Sequence, residues 1–91
     1  MAGGFFISAK HVKGGMDMFP SIDLMKTGAN IIRLRQSAGY TVRDLQKVFG
    51  FNSPQAIYKW QNGTALPTVD NLVVLAAVLK VRIDDILVCK S

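Results

Sequence analysis

The sequence predicts an all-α domain, a bundle of five short helices preceded by an irregular N-terminal arm. Three observations predict it. From Thr27 onward, apolar residues recur at three- and four-residue spacing. Most of these runs open on a hydroxyl-bearing residue and close on glycine. Beyond residue 25 there is no alternating apolar–polar run of the kind a strand needs. The division is therefore drawn as an arm over 1–25 and a helical domain over 26–91.

In the arm, Gly3-Gly4 and Gly14-Gly15 bracket "FFISAKHV", and Pro20 bars a helix at its own entry. Glycine pairs resist regular structure, so the segment reads as a mobile arm. A short self-pairing strand at "FFIS" is the alternative, and Met16 and Met18 are alternative starts. The domain begins with "TGANIIRLRQSAG", in which Thr27 is the expected N-cap, Ile31, Leu34 and Ala38 form the inward face, and Gly39 is the stop. "TVRDLQKVFG" follows. Thr41 with Asp44 three residues on is a capping-box start, Leu45 and Val48 are the expected core face, and Gly50 ends the helix.

The third helix opens at Ser53-Pro54, a hydroxyl cap followed by proline at the first helical position, where its missing N–H costs nothing. Ile57 and Trp60 face inward, Gly63 terminates it, and Pro67 bars extension. "TVDNLVVLAAVLKV" starts on the Thr68 cap with Asp70 in its first turn, and buries Leu72, Leu75, Ala76 and Leu79. "RIDDILV" is a last short helix carrying Ile83, Ile86 and Leu87. Asp84 and Asp85 read as first-turn charges that suit the helix dipole, not as a catalytic pair.

Bulk properties narrow the function. Ninety-one residues at 49% hydrophobic content suit one small domain with its own core. Cys89 stands alone, so it is expected to be apolar filler in a reducing compartment, with neither a disulfide nor a cysteine metal site. His11 has no clustered ligand or nucleophile around it. There is no glutamate, and no phosphate-cradling loop of the usual type, so no catalytic residue, metal or cofactor is expected. No apolar run approaches the roughly 18 residues of a membrane span, and the N-terminal run is too short for a secretory core, which predicts a cytoplasmic protein.

The net charge is +5, and its placement is informative. Residues 1–25 and 65–91 each sum to zero, whereas 26–64 carry Lys26, Arg33, Arg35, Arg43, Lys47 and Lys59 against Asp44 alone. A basic block within a folded region points to a polyanion. The same block holds "SPQAIYKWQNG", a short helix with bulky anchors behind and extended polar side chains in front. Two short helices joined by a glycine-containing turn make a helix-turn-helix. A helix fits the DNA major groove, where glutamine can pair with adenine and lysine with guanine. Gln55 and Lys59, four apart, would read bases, with Tyr58 beside them. Ala56, being small, would let the backbone approach. Ser53, Pro54 and the free N–H groups of the helix start would meet phosphate, and Arg43 and Lys47 are phosphate contacts or solvated surface. Asn62 and Thr64, in the loop that follows, are further backbone contacts or simply turn residues.

"NIIRLRQSAGYTVRDLQKVFGF", "PQAIYKWQNG", "LPTVDNLVVLAAVL" and "VRIDDIL", in that order, resemble the Cro/repressor-type (XRE-like) helix-turn-helix family over about Ile22 to Val88. The resemblance implies a lambda-repressor-like DNA-binding domain, with the helix at Ser53–Gln61 as the reader and that at Thr41–Phe49 lying across the DNA backbone. Against the family pattern, Gln46 replaces a small residue, and the turn "GFNSPQ" is one residue longer. Val42 stands where a phosphate-gripping glutamine is common, which moves that expectation to Thr41 and Arg43. Arg35 would meet the neutral Gln61 in place of an acid, and Arg82 is a poor cap. The function so implied is sequence-specific binding of double-stranded DNA, as a nucleoid-associated transcriptional regulator of repressor type, by a homodimer on a palindromic operator. The alternative is a protein-interaction module, such as the antitoxin of a toxin–antitoxin pair, with the arm holding the protein partner.

Overall fold

The computed structural model describes residues 20–90, and among these five helices follow one another: α1 (Leu24–Ser37), α2 (Val42–Phe49), α3 (Gln55–Asn62), α4 (Val69–Leu79) and α5 (Ile83–Ile86). The expectations for "FFIS", for a mobile arm and for a start at Met16 or Met18 lie outside the described residues. The helices surround one core in which Ile31, Leu45, Ile57, Leu75 and Ile86 are fully sealed and Trp60, Leu72, Ala76 and Leu79 nearly so. Each fully buried aliphatic side chain contributes roughly 1.5–3 kcal/mol of transfer free energy. The long α1 packs against α3 and α5, α2 against α3, and α4 against α5.

Helix starts follow side-chain acceptors. Thr41 and Asp44 complete both halves of a capping box, the Asp44 N–H donating to Thr41 Oγ1 at 3.0 Å and the Thr41 N–H to Asp44 Oδ2 at 2.8 Å. Thr68 Oγ1 accepts from Asn71 N–H at 3.3 Å. Arg82 has no acceptor to offer, and Asp85 answers from the other side, its Oδ2 accepting from the Arg82 N–H at 2.9 Å.

Four residues depart from the sequence reading. Thr27 is not the N-cap of the first helix. The cap is Asp23, whose Oδ1 accepts from Lys26 N–H at 2.9 Å, and Thr27 lies fully buried within the helix. Pro54 is the cap residue of α3, not its first helical residue, and Ser53 Oγ accepts a long 3.4 Å bond from Gln55 N–H. Ala38 and Val48 are exposed, not core. Beyond Gly39 the chain turns and Tyr40 packs on the core in Ala38's stead. On α2, the inward position after Leu45 falls four residues on, at Phe49, whose ring stacks with Phe51 and meets Trp60. Val48, one residue earlier, is left 45% exposed.

A feature outside the helical pattern ties the two ends together. Residues 21–23 run antiparallel to 88–90 as an isolated bridge at Ile22 and Cys89, with Asp23 N–H donating to Val88 O at 2.7 Å and Lys90 N–H to Ser21 O at 2.8 Å. Thr27 serves this closure, because its Oγ1 accepts from Val88 N–H at 2.9 Å. Nearby, Asn30 Nδ2 donates to Ile86 O at 3.0 Å and also to Asp85 O, holding the end of α5 against α1. Thr27→Val keeps the shape but leaves the Val88 amide without its acceptor. It should lower stability by about 1–3 kcal/mol in urea titrations, with amide exchange at Val88 accelerating before that of Leu75.

Candidate nucleic-acid interface

The sequence of α3 separates into two faces with a helical period. Ile57 and Trp60 point into the core and Ala56 packs against it, while Gln55, Tyr58, Lys59 and Asn62 are exposed. Those four recur at i, i+3, i+4 and i+7, so they lie on one side of the helix. Tyr58 stands 47% exposed, a large ring kept at the surface. Asn62 is the last helical residue, not part of the loop, and this puts it in register with Gln55 and Lys59. Ala56 is half-buried and packs against the core. Pro54 is half-buried and Ser53 exposed at the helix entry.

Ring contacts, hydrogen bonds and two close backbone approaches seat this helix. Phe49 and Phe51 stack at 5.0 Å, and both meet Trp60 edge-on, at 5.4 and 6.0 Å. Gln46, on α2, donates from Nε2 to Phe51 O at 3.2 Å and so ties the turn before α3 to the preceding helix. Arg35 Nε donates to Gln61 Oε1 at 3.0 Å and its Nη1 to Tyr40 O at 2.8 Å, the neutral link expected from the sequence. Behind the helix, α1 approaches so closely at Gly28 that an added Cβ would stand 2.6 Å from Trp60 O and nearer still to Gln61 O. At the far end, a Cβ on Gly63 would meet Met25 Sδ at 2.8 Å. The roles of Gly28, Phe49 and Phe51 were missed from sequence. A glycine inside a helix, costing about 1 kcal/mol against alanine, was the available sign of a close approach at Gly28.

The remaining candidates flank α3. Thr41 is exposed, and its Oγ1 accepts from Asp44 N–H at 3.0 Å. Thr64 differs, since its hydroxyl donates to Lys59 O at 3.1 Å and so its proton is committed. Arg43, Lys47 and Lys59 are exposed, as are Lys26 and Arg33, whereas Arg35 is half-buried and spent on internal bonds. The Thr41 N–H, followed by the Thr41 hydroxyl, holds the Asp44 carboxyl below its usual range, and Lys47 adds to this.

The Helix-turn-helix family model matches residues 31–86, more than half of the chain. The chain belongs to the XRE/Cro-type helix-turn-helix family. As an XRE-type protein it carries the DNA-binding domain of a transcription regulator. The match runs from the middle of α1 to the end of α5 and so takes in the whole helix-turn-helix. No curated protein and no solved structure matches it. Among the described residues, no helix of this XRE-type domain is long and apolar enough to cross a membrane.

Two expectations follow from this seating. Gly28→Ala forces α1 away from the end of α3. It should cost about 1–3 kcal/mol by thermal or urea unfolding, where an alanine in an open helix would stabilise. The capping box gives a pH dependence of defined sign. A carboxyl whose folded pKa is lowered contributes stability above its unfolded pKa and loses it as pH falls through the folded value. Carbon-detected NMR titration should therefore show Asp44 titrating below the free aspartate range, and in Thr41→Ala, which keeps the backbone N–H but loses the hydroxyl, it should move part of the way back up.

Proposed function

We propose that this chain binds double-stranded DNA sequence-specifically, laying α3 in the major groove, and that it acts as a transcriptional repressor. The observation that carries the reading is the exposed row Gln55, Tyr58, Lys59 and Asn62 on a helix pinned from behind by Ile57 and Trp60. Gln55 has the bidentate amide that matches adenine, Lys59 the donors that match guanine O6 and N7, and Tyr58 can lie on a thymine methyl or reach a phosphate. Asn62, at the same face, extends the row by one turn.

Thr41, Arg43, Lys47 and Ser53 are suited to phosphate oxygens, which fix register without reading sequence. Pro54 shapes the entry to α3, Ala56 packs behind it, and Thr64 holds the loop by its bond to Lys59 O. Exposed Lys26, Arg33, Arg43, Lys47 and Lys59 supply the sequence-independent attraction, released with counterions as salt rises. One such helix covers few base pairs. A homodimer on a palindrome, with half-sites about 34 Å apart, would give useful affinity.

Site selection from a random duplex library should yield a symmetric operator. On that operator, Gln55→Ala and Lys59→Ala should each cost roughly 1–3 kcal/mol of specific binding while the melting temperature holds. Arg43→Ala should instead weaken specific and non-specific binding alike and reduce the salt slope by about one. Unchanged discrimination in both α3 variants would remove α3 as the reader.

A further inference from the structure

The outer side of α4 is not that of a solvated helix. Its inward side is Leu72, Leu75, Ala76 and Leu79, as expected. Its outward side carries Val69, Val73 and Ala77 at i, i+4 and i+8, with Val74 beside them, and all are exposed: Val69 by 74%, Val73 by 54% and Val74 by 39%. Charge on this side is confined to the two ends, Asp70 in the first turn and Lys80 at the close, both exposed.

Lys80 is itself unusual. Gly39, Gly50 and Gly63 take the left-handed conformation after α1, α2 and α3, with φ of 82°, 70° and 77°. After α4 the same conformation, φ 59°, is taken by Lys80, the only non-glycine with positive φ among the described residues. A side chain there costs free energy that glycine would not. A residue held in such a position is a pointer to a task for its side chain.

We infer that the outer side of α4 is a self-association surface and that its occupant is α4 of a second copy of this chain, antiparallel across a two-fold axis. In one register Val73 faces Ala77 of the second copy and Asp70 faces Lys80, each contact occurring twice by symmetry. The charges at the two ends are then complementary, and the small Ala77 lets the helices approach opposite Val73. The surface also lies in the segment whose charge sums to zero, so two copies meet there without repulsion and leave both basic segments for DNA. An eleven-residue helix is about 16 Å long, and a pair of them buries less than the about 1,200 Å² of the smaller stable complexes. The free chain is thus a weak dimer whose population depends on concentration. This inference names the interface for the dimer of the DNA-reading proposal, but it is tested without DNA.

Sedimentation equilibrium of the full chain should show a reversible monomer–dimer system. Val73→Asp should raise its dissociation constant by about tenfold or more with an unchanged circular dichroism spectrum. Asp70→Lys and Lys80→Asp should each raise it roughly two- to tenfold, and the double variant should restore it. Lys80→Gly relaxes the backbone, so it should weaken the dimer while leaving the monomer's melting temperature equal or higher. A chain that stays monomeric at every concentration, or a dimer indifferent to these substitutions, would overturn the inference. So would a dimer abolished only by Phe6→Ser, which would put the contact in residues 1–19. Dimerisation through α4 in a chain that then fails to discriminate DNA sites would leave this inference standing and remove the reading of α3.

Discussion

Trp60 is held on several sides at once, and the direction of α3 follows from that seat. The rings of Phe49 and Phe51 stand nearly perpendicular to its own, the core closes over its body, and α1 presses its bare Gly28 backbone against the carbonyls of Trp60 and Gln61. An eight-residue helix is marginal by itself in water, because nucleation is unfavourable and few hydrogen bonds follow it. What keeps α3 helical and aimed is tertiary contact. The exposed row of Gln55, Tyr58, Lys59 and Asn62 is therefore a property of the core as much as of the helix that displays it.

The same economy appears in the turn before α3. The amide of Gln46 on α2 donates to the Phe51 carbonyl, and the ring of Phe49 stacks on that of Phe51, so side chains of α2 hold both ends of the Phe51 residue. Arg35 completes the frame by joining the end of α1 to both Gln61 and the Tyr40 carbonyl. That contact removes one cation from the basic block, so the field available to a polyanion comes from Lys26, Arg33, Arg43, Lys47 and Lys59.

Local signals were the legible ones. The Thr41–Asp44 box, the Thr68 cap, the glycine stops and the inward side of α4 depend on neighbours within one or two helical turns, and they stand as read. The departures occur where a choice among neighbours is made from a distance. Thr27 has the chemistry of a cap, yet its hydroxyl is used by Val88, sixty-one residues on. Val48 and Phe49 are both apolar and adjacent, and only the position of Trp60 selects Phe49. For the candidate interface, Gln55 and Lys59 follow from helical spacing. Asn62 joins them only because the helix runs one residue past the expected loop boundary.

By itself the sequence determined the helical class, the count and order of the helices and the basic middle segment, because periodicity, caps and charge are written in nearby residues. Its motif order also determined the family. Tertiary structure alone decided how closely α1 meets α3, which apolar residues are left outside on α4, and how the two ends of the domain are joined through Ile22 and Cys89. The physical reason is the range of the forces involved. Helix propensity and capping act over a few residues, whereas packing and the satisfaction of buried hydrogen bonds are settled between segments that only the folded chain brings together.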